Sequence, residues 1–579
     1  MCGILGIVSH VGAVDVGEFQ SALGMLWRRG PDQQGQWVDS SGKTALGTTR
    51  LAIIGNSARG SQPIVSQSGN AITYNGEIYN YAELASRFGI SDFGNSDTEV
   101  LANLVDRFGV DAVKLLEGMF AFAVWNPVSE ELFLVRDRFG IKPLYYYADN
   151  EKFIFSSEIK SILGFKSVSR EIDQSALYDY FTYMYVPTPK TPFRRIRKLT
   201  PGSYLLLKNG QIEVRKYWDL NARSTQEPGL MDSRPLLTDM LKQTVKSYSC
   251  LTEPFGVLLS GGVDSSLLLA LLKEQKFDFS AFSIGFDVER HSELHYAVAA
   301  AQSLGVRHYP EVITQVQARQ ILPNAIGTLD EPLGNCSLIP SYHVHDLARR
   351  HDVRVLISGE GGDEIFGGYN WYTHFLKKEM DVGDTSWPLE DQLYYYLKLL
   401  GGFTRSEKRG FLHEDFVEEF SQYDELWHFR RYWDVELPTL TRLQYLDLKT
   451  YLPDDLLTKS DRLSAHHSQE TRFPYLNHHL VEFLFRLPLA CRNPGNQPKY
   501  LQKQVAGNFV PSAILQRDKK GFSIPFYVWV EQGLFGDYPF RDRVLKAPEH
   551  WPATLNSLEI YFLSSYCAWR QQTEDGSCR

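Results

Sequence analysis

The second residue of the chain, Cys2, is the first candidate for chemistry. Removal of Met1 would leave Cys2 with both a thiol and a free α-amino group. The amino group titrates at about pH 8 and a free thiol at about 8.5, so a proton can pass from sulfur to nitrogen without a partner histidine. Cys2 is therefore a candidate nucleophile, although a cysteine at this position can also be a coincidence.

A second candidate site is the run LSGGVDSS, which starts at Leu259. It follows a strand pattern and precedes a helix pattern, and backbone N–H groups at a helix start can hold a phosphate chain. Gly261 and Gly262 would let the backbone approach an anion closely. Asp264 would then serve as a Mg²⁺ ligand, because Mg²⁺ prefers carboxylate and phosphate oxygens. The run lacks the Gly-Lys-Ser/Thr ending of a P-loop, and an ordinary strand-to-helix turn is the alternative.

A third candidate site is acidic and rich in glycine. The strand pattern VRVLI, which starts at Val353, is followed by SGEGGDE and then by FGGY. Ligands of open α/β sheets bind at the carboxyl ends of strands, where this run and LSGGVDSS both lie. Its carboxylates, Glu360, Asp363 and Glu364, would repel a triphosphate unless Mg²⁺ intervened. They are candidate metal ligands or a general base, and the alternative is a solvated acidic turn.

Two patterns of secondary structure divide the chain. Up to residue 218, short β-branched or aromatic runs alternate with turn formers, which indicates an α+β domain. Within it, residues 203–207 followed by Asn209-Gly210 predict a hairpin. Residues 219–235 lack an apolar period and form the predicted linker. Beyond them, strand and helix patterns alternate, which predicts a doubly wound parallel sheet followed by a mostly helical part. The predicted domains are residues 2–218 and 236–579.

Composition is that of a globular protein of more than one domain. The chain has 579 residues, with 43% apolar and 22% charged residues. A net charge of -9 gives no general attraction to nucleic acid or to an anionic membrane. The six cysteines form no CxxC pair and show no zinc spacing, which fits a reducing compartment. With no apolar run of about 18 residues, we expect a cytoplasmic protein with neither a membrane nor a nucleic-acid partner.

The order of the motifs resembles that of the glutamine-hydrolysing asparagine synthetases over nearly the whole chain. This family joins a class II glutaminase, with an amino-terminal nucleophile, to an ATP-pyrophosphatase synthetase domain. The resemblance implies an α+β Ntn-hydrolase αββα sandwich and an α/β, PP-loop (HUP-like) doubly wound parallel sheet with a helical C-terminal part. The matching runs, besides the three sites above, are RGPD at Arg29, RLAII at Arg50, NGEIYN at Asn75, SDTE at Ser96, DRLS at Asp461, ETRFP at Glu470, KYL at Lys499 and RDKKGF at Arg517.

The resemblance implies that Cys2 is the glutaminase nucleophile and that L-glutamine is its substrate. Arg50 would pair with the glutamine α-carboxylate, a bidentate role suited to guanidinium. The side chain of Asn75 and the N–H of Gly76 would form the oxyanion hole. Read singly, Arg50 could be a surface cation and Asn75-Gly76 a hairpin dipeptide. The implied glutamine-binding set, whose two acids would receive the α-ammonium, is Arg50, Ile54, Asn75, Gly76, Glu77 and Asp97.

For the second domain the resemblance implies binding of ATP and Mg²⁺. Glu360 corresponds to the carboxylate that the family uses in forming an acyl-adenylate, and Asp264 and Asp363 would hold Mg²⁺ against the pyrophosphate. Lys499 would neutralise charge on the adenylate or the tetrahedral intermediate, whereas an isolated lysine would be a solvated surface group. The implied ATP-binding set is Leu259, Ser260, Gly261, Gly262, Asp264, Ser265, Ile284, Ser358 and Gly359.

The implied reaction joins the two sites by ammonia. Glutamine hydrolysis at Cys2 would release ammonia, which would cross a mostly apolar passage to an acceptor carboxylate that ATP has adenylated. L-aspartate is the expected acceptor, giving L-asparagine, AMP and pyrophosphate. Asn335, Asn477 and the run AHHSQ at Ala465 depart from the pattern of this family. A uronic acid of a surface polysaccharide or a peptide carboxylate therefore stays open as the acceptor.

Two other classes of protein stay open at this point. A ligase that uses a tethered amine, of the β-lactam synthetase type, needs no glutaminase, so the presence of Cys2, Arg50, Asn75 and Asp97 argues against it. A binding protein that kept only the fold would have no need of Cys2 or Asp264. The sequence does not decide whether the chain forms a homodimer.

Overall fold

The computed structural model describes residues 1–54, 60–91, 93–223, 232–249, 254–383, 387–517, 524–534, 544–547, 550, 552 and 555–574. Part of the predicted linker, residues 224–231, and residues 518–522 of the RDKKGF run lie outside the described residues. Within the described ranges, no helix combines the length and the apolar character needed to cross a bilayer.

The amino-terminal part contains two antiparallel sheets of six described strands each. Their orders are β10-β8-β9-β1-β3-β2 and β12-β11-β7-β6-β5-β4. The predicted hairpin is confirmed as β11 paired with β12. The strands are β1 (Cys2–Ser9), β2 (Gln33–Val38), β3 (Thr44–Arg50), β4 (Ile64–Val65), β5 (Ala71–Ile78), β6 (Gly118–Asn126), β7 (Glu131–Arg136), β8 (Tyr145–Ala148), β9 (Lys152–Ser156), β10 (Ile196–Lys198), β11 (Ser203–Lys208) and β12 (Gln211–Lys216).

Apolar side chains pack in three layers around these sheets, which gives the predicted αββα sandwich. One cluster lies between the sheets and includes Ile4, Leu46 and Ala121. The two outer clusters lie under helices, as expected when each sheet must bury both faces. The helices of this part are α1 (Val16–Gly24), α2 (Tyr81–Phe88), α3 (Asp97–Phe108), α4 (Ile159–Leu163) and α5 (Gln174–Tyr183).

The second part is built on a parallel sheet in the order β15-β14-β13-β16-β17. The chain adds β14 and β15 on one side of β13 and then adds β16 and β17 on the other side. The carboxyl ends of β13 and β16 therefore border a crevice of the kind in which such sheets bind ligands. The prediction of a doubly wound parallel sheet is confirmed. The strands are β13 (Phe255–Leu258), β14 (Phe279–Phe286), β15 (Arg307–Ile313), β16 (Val355–Ile357) and β17 (Glu470–Arg472).

Helices cover this sheet and form most of the rest of the chain, as predicted. They are α6 (Ser233–Ser249), α7 (Val263–Glu274), α8 (Leu294–Ser303), α9 (Gln315–Ile326), α10 (Leu338–Arg350), α11 (Gly362–Phe366), α12 (Asn370–Val382), α13 (Leu389–Leu399), α14 (Arg405–Phe411), α15 (Glu414–Glu419), α16 (Trp427–Arg430), α17 (Thr439–Lys449), α18 (Leu457–His466), α19 (His478–Arg486), α20 (Leu489–Arg492), α21 (Tyr500–Ala506), α22 (Ser512–Leu515), α23 (Phe526–Glu531) and α24 (Ser557–Glu574). A π-helical turn, Leu452–Leu456, leads into α18.

The two parts share one buried apolar cluster. It contains Met1, Leu51 and Met119 from the first part together with Ile357 and Leu476 from the second. The edge strand β17 lies at this contact, because its side chains reach residues of the first part while its backbone pairs with β16. The interface therefore places the amino terminus of the chain beside the parallel sheet.

Candidate active sites

Cys2 lies at the start of β1, opposite Arg50 at the end of β3. Its backbone N–H donates to Oδ1 of Asn75 at 2.8 Å. Burial raises the pKa of the Cys2 thiol, and the amino-terminal ammonium and Arg50 lower it only in part. The structure describes the chain with Met1 in place, and the ammonium is therefore one residue away from the thiol.

The structure places the side-chain amide of Asn75 beside Cys2, and Gly76 follows it in β5. Nδ2 of Asn75 is buried and has no hydrogen-bond partner among the described residues. Gly76 has a φ of +150°, and a Cβ at this position would lie 2.1 Å from the carbonyl oxygen of Met119. An unpaired buried amide donor costs free energy unless a ligand satisfies it. The predicted oxyanion residues are therefore together and include a donor with spare capacity.

The predicted residues for the two ends of glutamine, Arg50 and Asp97, are both buried. The guanidinium of Arg50 donates to Gln33 Oε1 at 3.0 Å and to the carbonyl oxygen of Ile54 at 3.1 Å. Asp97, at the start of α3, accepts from the Tyr74 hydroxyl at 2.8 Å. Burial raises the pKa of Asp97, although hydrogen bonds from Tyr74 and a backbone N–H oppose the shift. Both a cation and a carboxylate are thus available for an amino-acid substrate.

Glu77 faces the second part of the chain. Its Oε1 lies 3.5 Å from Nη2 of Arg472, and Arg472 Nε lies 2.9 Å from Oε1 of Glu470. Glu470 also pairs with the Met1 ammonium at 3.0 Å. Burial would raise the pKa of Glu470, but the ammonium and Arg472 lower it to about 2. Sequence reasoning gave Glu470 and Arg472 no individual role, and their only signal was the ETRFP run that matches the family.

The first glycine-rich loop, between β13 and α7, is a tight turn that requires glycine at position 261. Gly261 has a φ of +73°, and a Cβ there would lie 2.5 Å from the backbone nitrogen of Ala297. Ser260 and Ser265 bring their hydroxyls within 3.2 Å of each other across the loop. Arg517 donates to the carbonyl oxygen of Gly261 at 2.9 Å, a contact that sequence reasoning did not assign.

The second glycine-rich loop packs against the first. A Cβ at Gly362 would lie 2.5 Å from Asp264 Oδ1, and one at Gly359 would lie 3.1 Å from the backbone nitrogen of Ser265. The backbone N–H of Ser358, just after β16, donates to the carbonyl oxygen of Arg472 at 2.9 Å. Three members of the predicted ATP set remain: the backbone N–H of Gly262 donates to the Ser260 hydroxyl at 3.3 Å, and Leu259 and Ile284 are buried apolar residues.

Lys499 is central to this site. Its ammonium contacts Oδ2 of Asp264 and lies 2.6 Å from Oδ1 of Asp363, and Gln502 donates to Oδ1 of Asp264 at 3.0 Å. Burial would lower the pKa of Lys499, but the two carboxylates raise it to about 12. The two predicted Mg²⁺ ligands, Asp264 and Asp363, thus lie close together and share the Lys499 ammonium as their partner. Among the described residues no group of three or more His, Cys, Asp or Glu could hold a metal, so Mg²⁺ would need phosphate oxygens as well.

Glu360 contacts two residues in the first turn of α18. Its Oε2 accepts from the Ser460 hydroxyl at 2.6 Å, and its Oε1 lies 3.5 Å from the Lys459 ammonium. Lys459 also donates to the Ser337 hydroxyl at 2.8 Å. Asn335, one of the departures from the family pattern, accepts from that same hydroxyl at 2.6 Å. Glu360 is therefore next to a buried cation and a hydroxyl group, and Ser337 and Asn335 lie behind that cation.

Comparisons with known proteins agree with this arrangement. The profile of the glutamine amidotransferase domain matches residues 1–218, and the profile described as asparagine synthase matches residues 236–538. Asparagine synthetase (glutamine-hydrolyzing) 1 of Bacillus subtilis (strain 168) is 31% identical over 565 residues, covering 92% of this chain and 88% of that protein. Asparagine synthetase (glutamine-hydrolyzing) 3 of the same organism is 29% identical, covering 90% and 87%. The amidase chry2 of Gibberella zeae is 26% identical, covering 91% and 90%.

The fold, the two sites and the two domain matches define a glutamine amidotransferase domain joined to an ATP-dependent ligase domain. The chain belongs to the family of glutamine-hydrolysing asparagine synthetases. The resemblance seen in the sequence is confirmed.

The geometry of Gly76 generates a test of the first site. Substitution of Gly76→Ala places a Cβ against the Met119 carbonyl and displaces the adjacent oxyanion donors. Loss of one such donor costs about 100- to 1,000-fold in kcat, so we expect glutamine hydrolysis, measured as glutamate release, to fall by about 100-fold or more. AMP release supported by ammonium should change by less than about twofold.

A matched control for this test is Gly12→Ala in the same domain, because a Cβ at Gly12 has no neighbour within 4 Å. This variant should keep both activities. Equal losses of both activities in Gly76→Ala would show general unfolding instead of a local effect, and unchanged glutamate release would remove Gly76 from the site.

Proposed function

We propose that this chain hydrolyses L-glutamine at Cys2 and uses the ammonia to amidate a carboxylate that ATP activates in the second domain. L-aspartate is the proposed acceptor, which would give L-asparagine, AMP and pyrophosphate. The observation that carries the proposal is the buried pairing of Cys2 with Asn75, whose Nδ2 has no partner among the described residues. A donor of this kind beside a nucleophile supports acyl transfer.

The glutaminase step follows from the groups around Cys2. After removal of Met1, the Cys2 thiolate would attack the carbonyl carbon of the glutamine amide, and its proton would move to the new α-amino group. Nδ2 of Asn75 and the N–H of Gly76 would stabilise the oxyanion. That proton would leave with the amide nitrogen as ammonia, and water would hydrolyse the thioester to glutamate. Arg50 and Asp97 would hold the α-carboxylate and the α-ammonium during these steps.

The ligase step activates a carboxylate that is otherwise a poor electrophile. An acceptor carboxylate oxygen would attack the α-phosphorus of ATP, and pyrophosphate would leave. Ammonia would then attack the acyl carbon, AMP would leave, and Glu360 would accept the released proton. Lys499 would stabilise negative charge on the phosphates. Mg²⁺, held by Asp264 and Asp363 with phosphate oxygens, would supply further charge neutralisation when bound.

Ammonia must reach the second site unprotonated in order to act as a nucleophile. The buried cluster shared by the two parts supports a sheltered route, because Leu51 and Met119 of the first part, which remain after removal of Met1, pack with Ile357 and Leu476 of the second. An apolar environment disfavours the ammonium ion, as burial does for any charged group. Ammonia released beside Cys2 would therefore stay neutral while it crosses the interface.

A different carboxylate is the second candidate acceptor. The relative named amidase chry2 covers nearly the whole chain, so family members of this length do not all carry the name asparagine synthetase. Asn335 beside Ser337 and Lys459 departs from the family pattern near the proposed acceptor region. A uronic acid or a peptide carboxylate is the alternative that this observation favours.

The acceptor is tested by AMP release with Mg-ATP and ammonium in the presence of L-aspartate, glucuronic acid or a carboxylate-bearing peptide. AMP matched by asparagine would support the proposed acceptor. Glutamate release from glutamine without aspartate-dependent AMP would contradict aspartate and direct the search to the other two classes.

Substitution of Cys2→Ala separates the two reactions. It removes the nucleophile without changing the second site, so glutamine-dependent amidation should fall to background. Amidation supported by added ammonium should stay within about twofold of the parent protein. The measurement is glutamate and AMP release from the same reactions. Retention of glutamine hydrolysis would contradict the role of Cys2.

The substitution Lys499→Met should impair the ligase reaction and leave glutamine hydrolysis intact. It removes the cation held between Asp264 and Asp363 and leaves their charges unneutralised in a buried site. We expect AMP release to fall by about 100-fold or more, with glutamate release in the absence of ATP changed by less than about twofold. The exposed Lys246→Met is the control and should keep both rates. Normal AMP release in Lys499→Met would exclude Lys499 from the phosphate site.

A further inference from the structure

Helix α18 contacts both active sites with four consecutive residues. Ser460 and Lys459 contact the proposed catalytic carboxylate of the second site, Glu360, at 2.6 Å and 3.5 Å. The next two residues, Asp461 and Arg462, point instead to the first domain, where their partners include Arg29 and Glu158. One turn of helix therefore connects the ligase carboxylate to the glutaminase domain.

In the glutaminase domain, Arg29 contacts both Asp461 and the backbone of Cys2. The guanidinium of Arg29 forms a bidentate pair with Asp461, at 2.8 Å and 3.0 Å. Its third nitrogen, Nε, donates to the carbonyl oxygen of Cys2 at 2.9 Å. The side chain of Arg29 is 1% exposed and that of Asp461 is 3% exposed. A planar fork of this kind fixes direction as well as distance.

The charges around this pair make its geometry hard to change. Burial alone would lower the pKa of Arg29, but the charges of Asp461 and Glu158 outweigh burial and raise it. Arg462 pairs with Glu158 at 3.3 Å and with Asp330 at 3.0 Å. Removal of one partner from such a buried group leaves an uncompensated charge, which costs much more than loss of an exposed pair.

We propose that Asp461 is a positioning residue that couples the two reactions. It holds Arg29 against the carbonyl oxygen of Cys2, and it directly follows Ser460, which contacts Glu360. When ATP and the acceptor engage Glu360, the Ser460 contact changes, and the start of α18 transmits the change to Arg29 and the Cys2 backbone. The coupling rests on the proposed function of the second site, whereas the positioning of Cys2 by Asp461 through Arg29 does not.

The proposed positioning of Cys2 by Asp461 is tested with Asp461→Asn in the full-length protein without ATP. Asparagine keeps the size of the side chain but loses the charge that holds Arg29. We expect kcat for glutamine hydrolysis to fall by about tenfold or more with KM changed by less than about threefold, since Arg50 and Asp97 still hold the substrate. Asp461→Glu, which keeps the charge, should recover part of the rate.

The matched control is Glu117→Gln, which removes a different contact between the two domains. Glu117 Oε1 lies 2.9 Å from Nε2 of His479, whose side chain is 53% exposed. This variant should keep kcat and KM for glutamine. Equal behaviour of Glu117→Gln and Asp461→Asn, or a loss in Asp461→Asn that appears in KM alone, would overturn the positioning role.

The coupling half is tested by comparing glutamine hydrolysis with no nucleotide, with Mg-ATP and with Mg-ATP plus L-aspartate. We expect occupancy of the second site to change the rate by about threefold or more in the parent protein and by less than about 1.5-fold in Ser460→Ala and in Asp461→Asn. The coupling would be overturned if Mg-ATP left the rate of glutamine hydrolysis by the parent protein unchanged. It would also be overturned if the rate of Ser460→Ala changed as much as that of the parent protein.

Thermal denaturation of each variant shows whether it is folded. Ser460→Ala decides the coupling by itself if Asp461→Asn does not fold, because Ser460 belongs to no buried ion pair in the described chain. Failure of the proposed function is seen separately, as the absence of AMP with any acceptor and ammonium in the parent protein. In that case the kcat of Asp461→Asn without ATP still tests the positioning of Cys2.

Discussion

The backbone of Cys2 is fixed by two hydrogen bonds, one at its N–H and one at its carbonyl oxygen, and the first active site depends on this constraint. Its N–H donates to the side chain of Asn75 and its carbonyl oxygen accepts from Arg29. Because Asn75 uses Oδ1 for this bond, its Nδ2 points elsewhere and is left as a buried donor. Because Arg29 is in turn paired with Asp461, the position of the nucleophile depends on the second domain. The glutaminase site is therefore incomplete within residues 1–218.

The ligase site is also assembled from elements that are distant in sequence. The loops after β13 and β16 meet because glycine residues allow close approach, as at Gly362 beside Asp264. Lys499 then enters from the start of α21 and pairs with both carboxylates. β17 completes this region, since its backbone supports the loop after β16 while its side chains face Glu77 and the amino terminus. The same short strand thus serves both sites.

The sequence predicted the elements whose patterns are local. The hairpin at Asn209-Gly210, the parallel sheet and the order of the two domains follow from periodicity and turn residues, and motif resemblance indicated the family. The contacts between domains could not be predicted in this way. Arg29 and Asp461 were seen only as parts of matching runs, because the pairing of buried charges depends on how distant segments meet in three dimensions. Lys499 between Asp264 and Asp363 was not expected either, since sequence gives no distances.

The two sites are proposed to exchange ammonia inside the protein, so that the amide nitrogen of glutamine, released at Cys2, reaches the ligase site directly. This transfer can be measured with glutamine labelled with ¹⁵N in its amide, in the presence of Mg-ATP, an acceptor that supports AMP release and excess unlabelled ammonium. The amide product is analysed by mass spectrometry. We expect a product that carries mainly ¹⁵N, because ammonia would cross the shared interface without mixing with the solvent. A product whose label matches the diluted ammonium pool would show that ammonia equilibrates with the solvent and would rule out internal transfer.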